Sequence, residues 1–82
     1  MLTVRYFAGA QAAAGVSTEE IAIPDGATVD DVLTVLSDRH GDRFTRVLSA
    51  SSLLLNEVAV RDRAQRPSSG AVLDVLPPFA GG

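Results

Sequence analysis

The chain has 82 residues and a formal net charge of −3, and 46% of its residues are hydrophobic. This length accommodates one small domain, and the composition is that of a globular chain. All seven cationic side chains are arginines and cysteine is absent, which excludes disulfides, thiolate metal sites and cysteine nucleophiles. With no basic patch, no membrane-length apolar run and no recognisable export signal, we expect a cytoplasmic protein that binds neither nucleic acid nor membrane.

The chain begins with a predicted strand over residues 2–8. Its apolar side chains recur at every second position and are predicted to face the core: Leu2, Val4 and Tyr6. The same alternation places Phe7 on the outer face of the sheet. An alanine-rich stretch between two glycines, residues 9–15, predicts a short helical turn, and residues 16–23 predict a second strand.

A helix is predicted next, with Thr28 as its N-cap and Asp31 in the position that completes a capping box. Four apolar residues have the spacing of one helix face: Val29, Val32, Leu33 and Leu36. Gly41 is predicted to end this helix in the left-handed αL conformation. Because adjacent helical positions diverge, Asp30 and Asp31 are interpreted as charges favoured at the helix start, not as an acid–base pair.

One further helical turn and three short strands are predicted in the second half of the chain. The turn covers residues 44–48, and the strands cover residues 53–55, 58–60 and 71–76. Within the last strand, Val72, Asp74 and Leu76 are predicted to face outward. The element order predicts an α+β domain in which one main helix packs on one face of a mixed four- or five-stranded sheet.

The last six residues, P-P-F-A-G-G, do not continue the final strand. Two prolines cannot donate ladder hydrogen bonds, and a glycine pair lets the main chain enter a channel that a Cβ atom would block. We therefore predict a domain over residues 1–76 and an extended tail over residues 77–82. The reactive group of such a tail is the carboxylate of Gly82, and a merely frayed terminus is the alternative interpretation.

Three segments resemble the MoaD family, the small sulfur-carrying subunit of molybdopterin synthase within the MoaD/ThiS group of ubiquitin-like sulfur carriers. They are residues 2–15, residues 28–36 and residues 73–82. The ending L-D-V-L-P-P-F-A-G-G is similar to the family's typical Pro-Pro-Val-Ala-Gly-Gly, although Phe79 stands where a small aliphatic residue is commoner. The resemblance implies a ubiquitin-like β-grasp fold.

The resemblance also implies a chemistry. A MoeB-type, E1-like enzyme would adenylate the Gly82 carboxylate with ATP and Mg²⁺, and sulfur from a donor system would replace the adenylate to give a thiocarboxylate. The tail would then insert into a MoaE-type large subunit, in an expected heterotetramer, where the catalytic side chains lie. Sulfur would pass to cyclic pyranopterin monophosphate in molybdenum cofactor biosynthesis, and the chain itself would hold no cofactor or metal.

The predicted site residues fall into three groups. The thiocarboxylate carrier is Gly82. The residues that insert with the tail are Gly81, Ala80 and Phe79. The residues that dock the partner are Phe7, Leu76, Pro77 and Pro78. The single histidine, His40, has no cysteine or second histidine to share a metal and is interpreted as a helix-end or surface residue.

Other functions remain open at this point. The same thiocarboxylate could serve thiazole or cysteine biosynthesis. A ubiquitin-like modifier would join Gly82 to lysines of other proteins, and a plain interaction module would carry an inert tail. No catalytic constellation is found within the chain.

Overall fold

A computed structural model describes residues 1–78 of the chain. Its elements in chain order are β1 Leu2–Tyr6, α1 Ala8–Ala14, β2 Thr18–Ile21, α2 Val29–His40, α3 Asp42–Ala50, β3 Ser52–Leu55, β4 Val58–Ala59 and β5 Val72–Leu76. The strands form one sheet in the order β2-β1-β5-β3-β4. Its central pair, β1 and β5, is parallel and the other pairs are antiparallel. The predicted mixed sheet is confirmed.

One face of the sheet forms the hydrophobic core together with the helices. The buried strand side chains on this face are Leu2, Val4, Tyr6, Ile21, Leu53, Leu55, Leu73 and Val75. The buried helical residues of the same cluster are Ala10, Val29, Val32, Leu33, Leu36, Phe44 and Leu48. The alternation predicted for the first strand and the apolar face predicted for the main helix are therefore both confirmed. No helix within residues 1–78 is long and apolar enough to cross a membrane.

The start of α2 is confirmed in detail, whereas its end differs from the prediction. The Thr28 hydroxyl accepts from the Asp31 backbone N–H at 3.1 Å, and the Asp31 carboxylate accepts from the Thr28 N–H at 2.9 Å. Gly41 follows the helix with φ 88° and ψ −172°, so its φ is positive but its ψ is extended and the αL prediction is wrong. The reason is that α3 begins at the next residue, so Gly41 has to turn the chain as well as end α2.

The single helical turn predicted over residues 44–48 is wrong in extent. It is a nine-residue helix, α3, whose Phe44 and Leu48 are buried in the core. A hairpin joins β3 and β4, with Asn56 at φ 49° and Glu57 at φ 69°. Left-handed conformations at both central positions match a type I′ turn, which suits the twist of a two-residue hairpin.

Candidate functional site

The four predicted docking residues lie at one end of the central strand pair. Tyr6 of β1 is in register with Val75 of β5, and the Phe7 N–H donates to the Val75 carbonyl at 3.2 Å. Phe7 and Leu76 are therefore the next positions along these two strands, at the end where the chain continues into Pro77 and Pro78. The predictions for Phe79, Ala80, Gly81 and Gly82 lie outside the residues that the structure describes.

The docking residues differ in exposure. Phe7 is 39% exposed, although it is a large aromatic residue. Leu76 and Pro77 are half-buried, and Pro78 is exposed. Large exposed apolar side chains on a small domain indicate a contact surface when they cluster. The base of the predicted tail thus combines an aromatic ring with aliphatic residues at the end of two central strands.

The face of the sheet opposite the helices carries a second set of side chains. The strand registers align five of its residues in one row across the sheet: Thr18, Arg5, Asp74, Leu54 and Ala59. Leu54, Val72 and Leu76 on this face are half-buried. The outward orientation predicted for alternate residues of the last strand agrees with these registers. We call this surface the outer face.

A bidentate ion pair lies in the middle of the outer face. The Arg5 Nε donates to Asp74 Oδ1 at 2.6 Å, and its Nη2 donates to Oδ2 at 2.8 Å. Asp74 is only 4% exposed. The hydrogen bond and charge of Asp74 raise the pKa of the Arg5 guanidinium. The Arg5 guanidinium carbon also lies 5.9 Å from the centre of the Phe7 ring, within reach of a cation–π interaction.

A second polar cluster joins the helix layer to the edge of the sheet on the core side. The Glu19 carboxylate accepts from the Tyr6 hydroxyl at 2.5 Å and contacts His40 Nε2 at 2.5 Å, and Arg39 lies 3.5 Å from its other oxygen. Burial of the Tyr6 side chain raises the pKa of its hydroxyl, and the hydrogen bond that it donates to Glu19 raises this pKa further. Burial alone would raise the pKa of Glu19, but its hydrogen bonds with Tyr6 and His40 and the neighbouring positive charge lower it.

The structure confirms His40 as a helix-end residue and corrects only the alternative that its side chain lies at the surface. His40 is the last residue of α2, but its side chain is only 11% exposed and is paired with Glu19. It also stacks at an angle on Phe44, with ring centres 4.9 Å apart. Within residues 1–78, no group of three or more His, Cys, Asp or Glu side chains could hold a metal ion. His40 is thus a packed structural residue.

The topology and the tail position define a class of protein. A mixed sheet with a central parallel pair, helices on one face and a C-terminal strand leading into Pro-Pro-Phe-Ala-Gly-Gly is the ubiquitin-like β-grasp arrangement of sulfur carriers. A family model agrees with this class, because the ThiS family model matches residues 4–82. The chain belongs to the ThiS family, within the MoaD/ThiS superfamily that the sequence resemblance indicated.

Solved structures give the same fold. A putative molybdopterin converting factor subunit 1 from Pyrococcus furiosus is 29% identical, with a TM-score of 0.85 over 95% of this chain and 97% of that chain. The small archaeal modifier protein SAMP1 from Haloferax volcanii is 26% identical, with a TM-score of 0.85 over 99% of this chain and 98% of that chain.

A more distant structure shows the fold alone. It is a complex of subunits 1 and 2 of the molybdopterin-converting factor from Helicobacter pylori, which matches at 20% identity with a TM-score of 0.73 over 99% of this chain and 97% of that chain. No curated protein sequence is significantly similar to this chain.

Proposed function

We propose that this chain is the sulfur-carrying small subunit of a molybdopterin synthase. The observation that carries the proposal is the Pro-Pro-Phe-Ala-Gly-Gly ending, which follows directly from a central strand of a sulfur-carrier fold. The similarity to the Pyrococcus furiosus molybdopterin converting factor subunit 1 supports the choice of pathway.

The proposed chemistry takes place on the Gly82 carboxylate. A MoeB-type enzyme would use ATP and Mg²⁺ to form an acyl adenylate and release pyrophosphate. Sulfur at the oxidation level of sulfide, from a donor system, would then attack the acyl carbon and form the C–S bond as AMP leaves. The thiocarboxylate sulfur would bond to cyclic pyranopterin monophosphate, and water would cleave the acyl C–S bond, which leaves the sulfur on the pterin and returns Gly82 to a carboxylate. The domain would hold no cofactor and would act as the handle by which two partners recognise the tail.

The composition of the chain fits such a carrier. With no cysteine, the thiocarboxylate has no thiol of its own chain to form a disulfide with. With no lysine, the activated tail meets no lysine amine on its own surface. Both absences remove side reactions that would consume the activated Gly82 carboxylate.

We further propose that the tail enters a MoaE-type large subunit and that the docking residues Phe7, Leu76, Pro77 and Pro78 contact it at the entrance. The clustering of these residues at the base of the tail supports this placement. In the Helicobacter pylori structure, subunits 1 and 2 of the converting factor form a complex. A heterotetramer of two small and two large subunits is the proposed assembly.

Intact mass after co-expression with a MoeB-type activating enzyme tests the function. We expect one exchange of oxygen for sulfur, followed by one alkyl adduct when an alkylating agent is added, because the chain has no thiol to compete. Matched controls are a deletion of Gly82 and a one-residue extension after it, and neither should show the exchange. An unmodified mass beside a demonstrably active activating enzyme contradicts the proposal.

A ubiquitin-like protein modifier is the second candidate. The similarity to the Haloferax volcanii modifier protein SAMP1, which spans 99% of this chain, favours it. A modifier would appear in a cell lysate as a series of heavier conjugates that disappear when Gly81 and Gly82 are deleted. Conjugates without any sulfur exchange would favour the modifier over the carrier.

A further inference from the structure

The Arg5–Asp74 ion pair lies beside the half-buried apolar residues Leu54, Val72 and Leu76 of the outer face. In the sheet, Asp74 lies between Arg5 and Leu54, and it is buried on the face opposite the helices. The carboxylate at this position is held by the bidentate contact with Arg5. Arg5 itself remains accessible, with 44% of its side chain exposed.

The geometry of the pair leaves one edge of the guanidinium without an acceptor. A guanidinium has five N–H donors in a planar fork. Asp74 takes the Nε and Nη2 donors that form one edge of this fork. Among residues 1–78, no other acceptor is hydrogen-bonded to Arg5, so both N–H groups of Nη1 and the second N–H of Nη2 are left without a partner there. Two of these N–H groups are parallel and form the second edge of the fork.

This second edge of the Arg5 guanidinium is suited to binding a carboxylate. Two parallel N–H donors match the two oxygens of a carboxylate, and this bidentate pairing is shorter and stronger than a hydrogen bond to a single neutral oxygen. The Asp74 contact also fixes the guanidinium orientation, so less side-chain entropy is lost when a partner binds. If a partner covered Arg5 without supplying an acceptor, the remaining donors would be buried and unpaired, which is costly.

We propose that Arg5 determines partner specificity on the outer face and that the large subunit places a carboxylate against its free Nη1/Nη2 edge. The proposal rests on the proposed function, because it assumes that the carrier docks the large subunit with this face. The partner must then supply a carboxylate opposite Arg5, a requirement that apolar contacts at Phe7 and Leu76 do not impose. Apolar contacts tolerate many partners, whereas an unmatched guanidinium rejects a surface that lacks the acceptor.

The test measures the affinity of the full chain for the large subunit encoded in the same genome. The main variant is the double substitution Arg5→Leu with Asp74→Leu, which removes both charges together and leaves no unpaired buried carboxylate. Replacing a buried pair by apolar residues of similar volume is often neutral or stabilising, so this variant should fold. The matched control is Arg43→Leu, an exposed arginine on α3 in the helix layer.

We expect the double variant to bind about 10- to 100-fold more weakly, as for the loss of a hydrogen-bonded charge pair, and the Arg43→Leu control to bind like wild type. Each acidic residue on the large subunit is then changed to its amide in a double-mutant cycle with Arg5→Leu/Asp74→Leu. One of these acidic residues of the large subunit should account for most of the loss in affinity. Affinity within about twofold of wild type for the double variant, or no coupling to any acidic residue, overturns the inference.

The cycle separates the two proposals. If the wild-type chain does not bind the large subunit at all, the proposed function fails. If the wild-type chain binds and the double variant binds equally well, only the role of Arg5 fails.

Discussion

Glu19 and Asp74 are carboxylates on opposite faces of the sheet, and each is held by side chains that are distant in the sequence. Asp74 is paired with Arg5 from the neighbouring parallel strand. Glu19 is held by Tyr6 from β1 and by His40 at the end of α2. Asp74 is buried and Glu19 is half-buried, and charges withdrawn from water in this way are tolerated only when they are hydrogen-bonded, because desolvation otherwise outweighs the attraction. Both carboxylates therefore depend on correct strand and helix placement.

The Glu19 cluster predicts a pH-dependent stability. The pKa of Glu19 in the folded chain lies below its ordinary value of 4.5, because its hydrogen bonds with Tyr6 and His40 and the charge of Arg39 outweigh the effect of burial. A carboxylate whose pKa is lowered by folding stabilises the fold above its ordinary pKa, and this contribution is lost as the pH falls through the folded value.

We therefore expect Glu19→Gln to lower the free energy of unfolding by about 1–3 kcal/mol at neutral pH, in line with a lost charged hydrogen bond. Urea unfolding followed by circular dichroism should show that this difference shrinks as the pH falls below the ordinary value of 4.5. The control is Glu20→Gln on the exposed outer side of β2, which should change stability much less. An equal effect of Glu19→Gln on the free energy of unfolding at neutral pH and at a pH below 4.5 would contradict the prediction.

At this scale the sequence indicates which residues are polar or apolar, but it does not show which of them meet. Asp74 was predicted to face outward as the only charge of its strand. Its pairing with Arg5 depends on the parallel register of two strands 69 positions apart, which no local pattern encodes. The contacts of His40 do not follow from the sequence for the same reason, because its partners Glu19 and Tyr6 lie 21 and 34 positions away in the chain.

At the scale of elements, Gly41 connects α2 directly to α3. Its φ of 88° and ψ of −172° lie in a region that is essentially restricted to glycine. A Cβ atom added at this position would meet nothing within 4 Å, so any cost of substitution comes from the backbone and not from crowding. The helix that follows, α3, begins at the next residue and packs against α1 and α2.

We expect Gly41→Ala to lower the free energy of unfolding by about 1–3 kcal/mol, the usual cost of a residue held in such a conformation. Thermal or urea unfolding measures it. Gly9→Ala is the matched control, because Gly9 lies in α1 without a positive φ and also has nothing within 4 Å of an added Cβ. The control should raise stability slightly, by about 0.5–1 kcal/mol. If both variants behaved alike, the backbone argument would be wrong.

The elements that were predicted well are those with strong local signals. The start of α2 combines a capping box with an apolar stripe, and β1 alternates strictly, so both follow from propensity and period. The length of α3 was underestimated because a glycine precedes it and its two buried residues, Phe44 and Leu48, span only one turn. The conformation of Gly41 depends on the helix that follows, which a single end signal does not show.

At the scale of the whole molecule, the sheet separates two roles. One face packs with the helices and holds Phe44 completely buried, and the outer face with the end of β1 presents Phe7 at the base of the tail. Among the residues that the structure describes, the buried core runs from Leu2 to Val75. Substitution of one aromatic residue should therefore affect stability, and substitution of another should affect partner binding.

We expect Phe7→Ala to weaken the complex with the large subunit by about tenfold or more, as for an aromatic residue at the centre of an interface, while changing the unfolding free energy by less than about 1 kcal/mol. Phe44→Ala should instead cost about 3–5 kcal/mol of stability, since it leaves a cavity in the core. Phe79→Ala, in the tail, should resemble Phe7→Ala. Calorimetric titration measures the affinity, and urea unfolding of the same samples measures the free energy of unfolding.

An unchanged affinity for Phe7→Ala would remove this end of the sheet from the docking surface. A loss of stability as large as that of Phe44→Ala would show that Phe7 belongs to the core.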